Sequence, residues 1–104
     1  MNSIKESFDN LPAAVCFFDK RGVVRLMNRR MLSIGAELLG SGVQTLEELH
    51  RALDTPPESI ERLDAEMGVY KFPSGTVLRF VERQITDKSG GSYTEVTASD
   101  VTRL

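Results

Sequence analysis

The sequence predicts an α+β fold: a five-stranded antiparallel sheet with helices packed on one face and a short N-terminal helix. Three observations carry that expectation. The apolar run Ala14-Val15-Cys16-Phe17-Phe18 is reversed by Asp19-Lys20-Arg21-Gly22 and answered by Val23-Val24-Arg25-Leu26-Met27, the pattern of a hairpin. Apolar residues from Met31 to Met67 then recur at helical spacing. From Val69 to Val101 the composition turns to Val, Ile, Phe and Thr punctuated by turn residues, which predicts a three-strand meander. Strands and helices grouped in blocks segregate the helices to one side of an antiparallel sheet.

Taken in order, Ser3-Ile4-Lys5-Glu6 has the form of a capping box, and Ile4 and Phe8 share one helical face. A short helix over residues 3–10 follows, ended near Leu11-Pro12. In the first hairpin, Asp19 can bond the backbone two residues on and Gly22 can take positive φ. Asn28 is placed to cap a helix from Arg29 to about Leu39, stopped by Gly40-Ser41-Gly42. Thr45-Leu46-Glu47-Glu48 is a second capping box, opening a helix with Leu46, Leu49 and Leu53 on one stripe. Thr55-Pro56-Pro57-Glu58 predicts the start of a third helix, with Ile60, Leu63 and Met67 as its apolar face and Gly68 as its stop. Val69–Phe72, Thr76–Thr86 and Tyr93–Val101 are the last strands, joined by turns at Pro73-Ser74-Gly75 and Lys88–Ser92.

The 104 residues fit one domain, and 40% hydrophobic content supplies a core without disulfides or metal. Thirteen basic and 15 acidic residues give a net charge of −2, which argues against a nucleic-acid or anionic-membrane binder. No apolar stretch approaches the ~20 residues that span a bilayer, and the single cysteine forms no internal disulfide, so a cytoplasmic setting is the simplest expectation, with a membrane anchor elsewhere in a longer parent chain left open. Strand Ala14–Phe18 is apolar on both sides, so its second face needs cover as well, from the preceding helix, a partner subunit, or both.

The Asp19-x-x-Gly22 hairpin, Asn28 opening a helix, and the terminal Asp100-Val101-Thr102 resemble the PAS sensor-domain family over roughly Phe8 to Thr102. The resemblance implies a non-catalytic sensory module of a larger signal-transduction protein, foremost a sensor histidine kinase, that relays ligand or partner state to an output helix. On this reading residues 1–10 are a helical cap, 11–102 the core and 103–104 the start of an output linker. It also implies a homodimer, with Ile4, Phe8, Cys16 and Phe18 as the dimer face. Asp100, Val101 and Thr102 would be the signal-output residues, at a strand end where Asp and Thr can bond nearby backbone. The alternative is a ligand-free dimerisation or interaction module of a diguanylate cyclase or transcription regulator.

A ligand pocket, if formed, would lie between Val24, Leu26, Leu78, Phe80, Val96 and Ala98 on the sheet and Leu32, Leu49 and Leu63 on the helices; the same residues make an ordinary core. No cofactor is expected. Flavin-binding light sensors of the family carry a cysteine in an N-C-R-F-x-Q run, which Asn28-Arg29-Arg30-Met31 lacks. His50 is the only histidine; haem ligation through it is the functional reading, a surface or boundary residue the favoured one. Cys16 reads as a small buried hydrophobe, since no Lys, Arg or His adjoins it. A Cys16–His50 catalytic pair rests on no motif, and zinc lacks a ligand set. Lys20, Arg21, Arg25, Arg29 and Arg30 read as solvated charges, with an anionic ligand or acidic partner as the sharper alternative.

Overall fold

A computed structural model describes the backbone of residues 2–102 and the side chains of residues 6–102. In chain order the elements are α1 (Asn2–Asp9), β1 (Ala14–Phe18), β2 (Val24–Met27), α2 (Arg29–Leu39), α3 (Leu46–Asp54), β3 (Glu61–Asp64), β4 (Val69–Lys71), β5 (Val77–Thr86) and β6 (Ser92–Asp100). The strands form one antiparallel sheet in the order β2-β1-β6-β5-β4-β3. The last long strand thus lies at the centre, between the opening hairpin and the meander.

Local chemistry explains most of these boundaries. Asp19 Oδ1 accepts from the Arg21 and Val23 N–H groups at 2.9 and 3.0 Å and closes the β1–β2 turn, where Gly22 has φ 78°. The Thr45 hydroxyl accepts from Glu48 N at 3.1 Å while the Glu48 carboxylate accepts from Thr45 N at 2.9 Å, a complete capping box for α3. The C-terminus of α2 is tied by Gly40 N–H to Ala36 O at 2.8 Å.

The inner sheet face presents Ala14, Cys16, Phe18, Val96, Ala98, Leu78 and Tyr70. Against it pack Met31 and Leu38 of α2, Leu49 and Ala52 of α3, and the loop residues Val43, Ile60 and Phe72. Phe18, Met31 and Leu49 are at most 1% exposed, and burying each such side chain contributes about 1.5–3 kcal/mol. On the opposite face the Phe8 ring of α1 stacks on Phe17, centroids 6.5 Å apart. The N-terminal helix therefore covers the outer side of β1, one of the alternatives its apolar pattern left open. Ile4 falls outside the described side chains, and residues 103–104 outside the described backbone.

Two expectations are corrected here. The helix expected from Thr55 to Met67 does not form: Glu61–Asp64 is a fully exposed edge strand, which makes the sheet six-stranded, and Leu63 and Met67 are 48% and 50% exposed. Ile60 alone of the expected apolar stripe is buried. The helical periodicity between Pro57 and Gly68 is overridden by pairing with β4, which satisfies that strand's open edge. Asp64 Oδ1 accepts from Met67 N at 3.1 Å and Gly68 takes φ 68°, turning the chain into a hairpin. The second correction concerns β2. Its register runs Phe17↔Leu26 and then Phe18↔Val24, so a bulge sends Val24 inward and Leu26 outward.

The Asp19 and Asp87 carboxyls are held below the usual carboxylate range. For Asp19 the first cause is the Val23 backbone N–H; for Asp87 it is the Ser89 hydroxyl, followed by the Gly91 N–H. A carboxyl whose pKa falls on folding adds stability above its unfolded pKa and loses it as pH drops through the folded value. Asp19→Asn and Asp87→Asn should therefore each flatten the acid limb of a Tm-versus-pH curve below about pH 4. An unchanged acid limb in both would contradict the turn chemistry.

Candidate functional site

Among the described residues the most densely bonded polar side chain is that of Asn28, which is fully buried. Its Oδ1 accepts from Val15 N at 2.9 Å and Met31 N at 3.1 Å, while its Nδ2 donates to Ala13 O at 2.8 Å and Phe8 O at 3.3 Å. One side chain thus caps α2 and ties it to the start of β1 and the end of α1. Every hydrogen-bonding group of the amide is used, which fixes its orientation.

This anchor sets α2 across one end of the sheet and leaves a cleft of about 260 Å³ beside it. Its floor is buried and apolar: Ala14, Ala98, Leu78 and Phe72, with Ile34 on the helix side. The rim is polar, with exposed Arg30, Ser33 and Glu37 from α2, exposed Ser74 and half-buried Thr76 from the β4–β5 turn, and exposed Asp100 from the end of β6. Arg30 Nε donates to Leu11 O at 3.1 Å, which holds its stem along the cleft.

Asp100 also belongs to a knot at the exit of the sheet. Its Oδ1 accepts from the Thr102 N–H at 2.9 Å and from the Thr102 hydroxyl. The same hydroxyl oxygen accepts from Val77 N at 2.9 Å, and Val101 N donates to Val77 O at 2.8 Å. The terminal Asp-Val-Thr run is thereby pinned to the first residue of β5 and continues the β5–β6 ladder past Asp100.

The structure distributes the expected pocket residues unevenly. Leu49, Val96, Ala98 and Leu78 are buried together, Val24 sits at the core margin, and half-buried Phe80 meets Tyr70 edge-on, centroids 5.6 Å apart. Leu26, Leu32 and Leu63 are not part of that group, being 52%, 51% and 48% exposed. The β2 bulge, the outward side of α2 and the edge strand β3 respectively account for them. Only Leu78 and Ala98 of the expected set line the cleft. Ile34 and Glu37 were missed, and Arg30 was read only among the basic residues around the first hairpin, although the i, i+4, i+7 spacing of Arg30, Ile34 and Glu37 on α2 marks one shared face.

Of the residues assigned to a dimer face, Cys16 and Phe18 lie in the core at 0% exposure, pointing away from the outer face. Strand alternation gives the reason: Phe18 pairs with inward Thr94 and Cys16 with inward Val96, while Phe17 faces out beneath Phe8. Burial pushes the Cys16 thiol up to about 12. The native protein at pH 8 should therefore leave a disulfide thiol reagent unconsumed and react stoichiometrically once denatured. Rapid labelling of the native chain would contradict that burial.

His50 stands on the exposed side of α3, its Nε2 2.6 Å from Glu82 Oε1 of β5. The open cleft next to it, about 410 Å³, is lined by Asp19, Lys20, Arg21, Glu47 and Thr94. That charged setting does not fit a haem, whose macrocycle needs an apolar slot beside its axial histidine. Among the described residues no group of three or more His, Cys, Asp or Glu side chains is arranged to hold a metal. The basic residues are also dispersed: Arg25 lies 3.7 Å from Asp19, Lys20 and Arg21 flank the His50 cleft, and Arg30 serves the other. They form no single anion site.

No family model matches this chain, and no curated protein is similar to it in sequence. Among solved structures it is similar in fold to the Aer2 receptor from Vibrio cholerae, described as a dual PAS-heme oxygen sensor, with 13% identity and a TM-score of 0.44. The alignment covers 86% of this chain and 94% of that one. At that identity and score the likeness says nothing about the chemistry of His50 or of the cleft. Among the described residues no helix is long and apolar enough to cross a membrane.

Proposed function

We propose that this chain is a PAS-type sensory module, without catalytic activity of its own, that relays an occupancy state through its last strand to an output segment of a larger signalling protein. A sensor histidine kinase in the cytoplasm is the foremost context, and a homodimer the working assembly; neither nucleic acid nor membrane is a partner of this domain. The observation that supports the reading is the exit knot. Thr102 joins Asp100, at the end of the central strand, to the Val77 amide, so a shift of β6 against β5 changes the hydrogen bonding of the departing chain. Such a junction can hold two discrete arrangements, as a relay requires.

The test is made in the longer protein that carries this domain. Thr102→Ala should uncouple output from stimulus, leaving output activity fixed at one level, and Thr102→Ser should restore control. Output that still follows the stimulus in Thr102→Ala would sink the relay. The proposed module holds no haem or flavin. Freshly purified protein should lack visible absorption; a Soret band abolished by His50→Ala would contradict that.

A second reading is favoured by the burial of Leu49 and Val96, which leaves their part of the core filled by side chains. The module then acts by association alone. Native mass spectrometry separates the two, since a dimer indifferent to every small molecule supports association.

A further inference from the structure

The cleft beside α2 has a charge pattern that its neighbours do not neutralise. Arg30 and Glu37 both line it, yet neither makes an ion pair with another described residue. They stand seven residues apart on one face of α2, which separates their backbones by ~10 Å at 1.5 Å per residue. Between them lies Ile34, and below them the apolar floor of Leu78 and Ala98. A cation at one end, an anion at the other and a greasy bed between define a complement of opposite polarity.

We propose that this cleft binds a small zwitterion whose charges are separated by several bonds, the class of ω-amino acids and unblocked dipeptides. Its carboxylate is held by Arg30 and its ammonium by Glu37, while its methylene or peptide body lies on Ile34, Leu78 and Ala98. The dimensions select this class. Two helical turns between the two charged residues suit a ligand whose own charges are several bonds apart rather than on one carbon. The 260 Å³ volume admits a molecule of this size. Asp100 lines the same cleft while its carboxylate receives Thr102, so a ligand filling the cleft is felt at the exit knot. This deepens the relay reading and rests on it only for its consequence, not for the binding.

Calorimetric titration of the 104-residue chain tests it, with γ-aminobutyrate and dialanine as probes and butyrate, propylamine and alanine as controls. Both zwitterions should bind at least about tenfold more tightly than every control. Arg30→Gln and Glu37→Gln should each weaken them about tenfold, the loss expected for one charge-assisted bond. Both side chains are exposed, so the variants should melt close to the wild type, and an unchanged melting temperature qualifies each variant for the comparison. No heat with either zwitterion, or binding that the controls match or both variants leave intact, overturns the proposal. The relay is judged separately. If Thr102→Ala uncouples output while the cleft binds nothing, the relay stands and this inference falls; if the zwitterions bind and Thr102→Ala leaves output under control, the reverse holds.

Discussion

Asn28→Ala should lower stability by about 3–5 kcal/mol and Tm by at least ~15 °C, the largest effect of any single polar substitution in this chain. The wild-type amide is fully buried and makes four hydrogen bonds to backbone groups of three segments. Removing it leaves the Val15 and Met31 N–H groups and the Ala13 carbonyl without that partner, and each buried orphan costs about 1–3 kcal/mol. The lost N-cap of α2 is contained in the same sum. Against a total of about 5–15 kcal/mol for a domain of this size, much of the native population is at stake. Asn28→Asp separates the two halves of the amide. Its carboxylate keeps the acceptor for Val15 and Met31 but faces the Ala13 and Phe8 carbonyls with no proton. It should be destabilised at pH 7 and partly recover in mild acid, where a protonated carboxyl can donate. Urea melts at two pH values check both variants; an Asn28→Ala loss under about 1 kcal/mol would mean the hub is misassigned.

Gly68→Ala should cost about 2–4 kcal/mol, most of it from a backbone collision. Gly68 has φ 68°, and a Cβ there would lie 2.8 Å from the Phe80 carbonyl oxygen. The neighbour is main chain, so it cannot swing aside, and the Phe80 N–H bond to Gly68 O at 2.9 Å holds the two strands at this spacing. Relief requires the β3–β4 hairpin to lift from β5. Gly40→Ala is the matched control, with φ 74° but open space around the added methyl. It should cost only the ~1–2 kcal/mol of the left-handed backbone. Equal losses in the two variants would show that close approach at Gly68 contributes nothing.

Gly68 also marks where the sequence misleads. Its position at the end of Ile60, Leu63 and Met67 reads as a helix stop, because three apolar residues at helical spacing are a genuine periodic signal. The strand is decided by something no local pattern contains, the open edge of β4. The first hairpin, the Asn28 cap, the Thr45 capping box and the long strands are legible because each is set by contacts within a few residues. Leu26 is misread for a related reason: simple alternation puts it on the face of Val24, and only the register against β1 exposes the bulge between them. For the site, the exit residues Asp100 and Thr102 are visible in the sequence, but their clasp on Val77 spans 25 residues and appears only in three dimensions. The charged rim of the cleft was hidden differently. Arg30 and Glu37 look like ordinary surface charges until the turn at Ser74–Thr76 and the end of β6 are brought opposite them.

Amide hydrogen exchange at Val77 tests the claim on which the relay depends. That N–H has the Thr102 hydroxyl as its acceptor, so it should exchange slowly in the wild type and in Thr102→Ser. In Thr102→Ala it should exchange about fivefold to tenfold faster, the factor for one hydrogen bond of about 1 kcal/mol, with mid-strand amides of β5 unchanged. A Val77 amide that exchanges at the same rate in all three proteins would show that the last strand is not clasped at its exit, and the account would fail there.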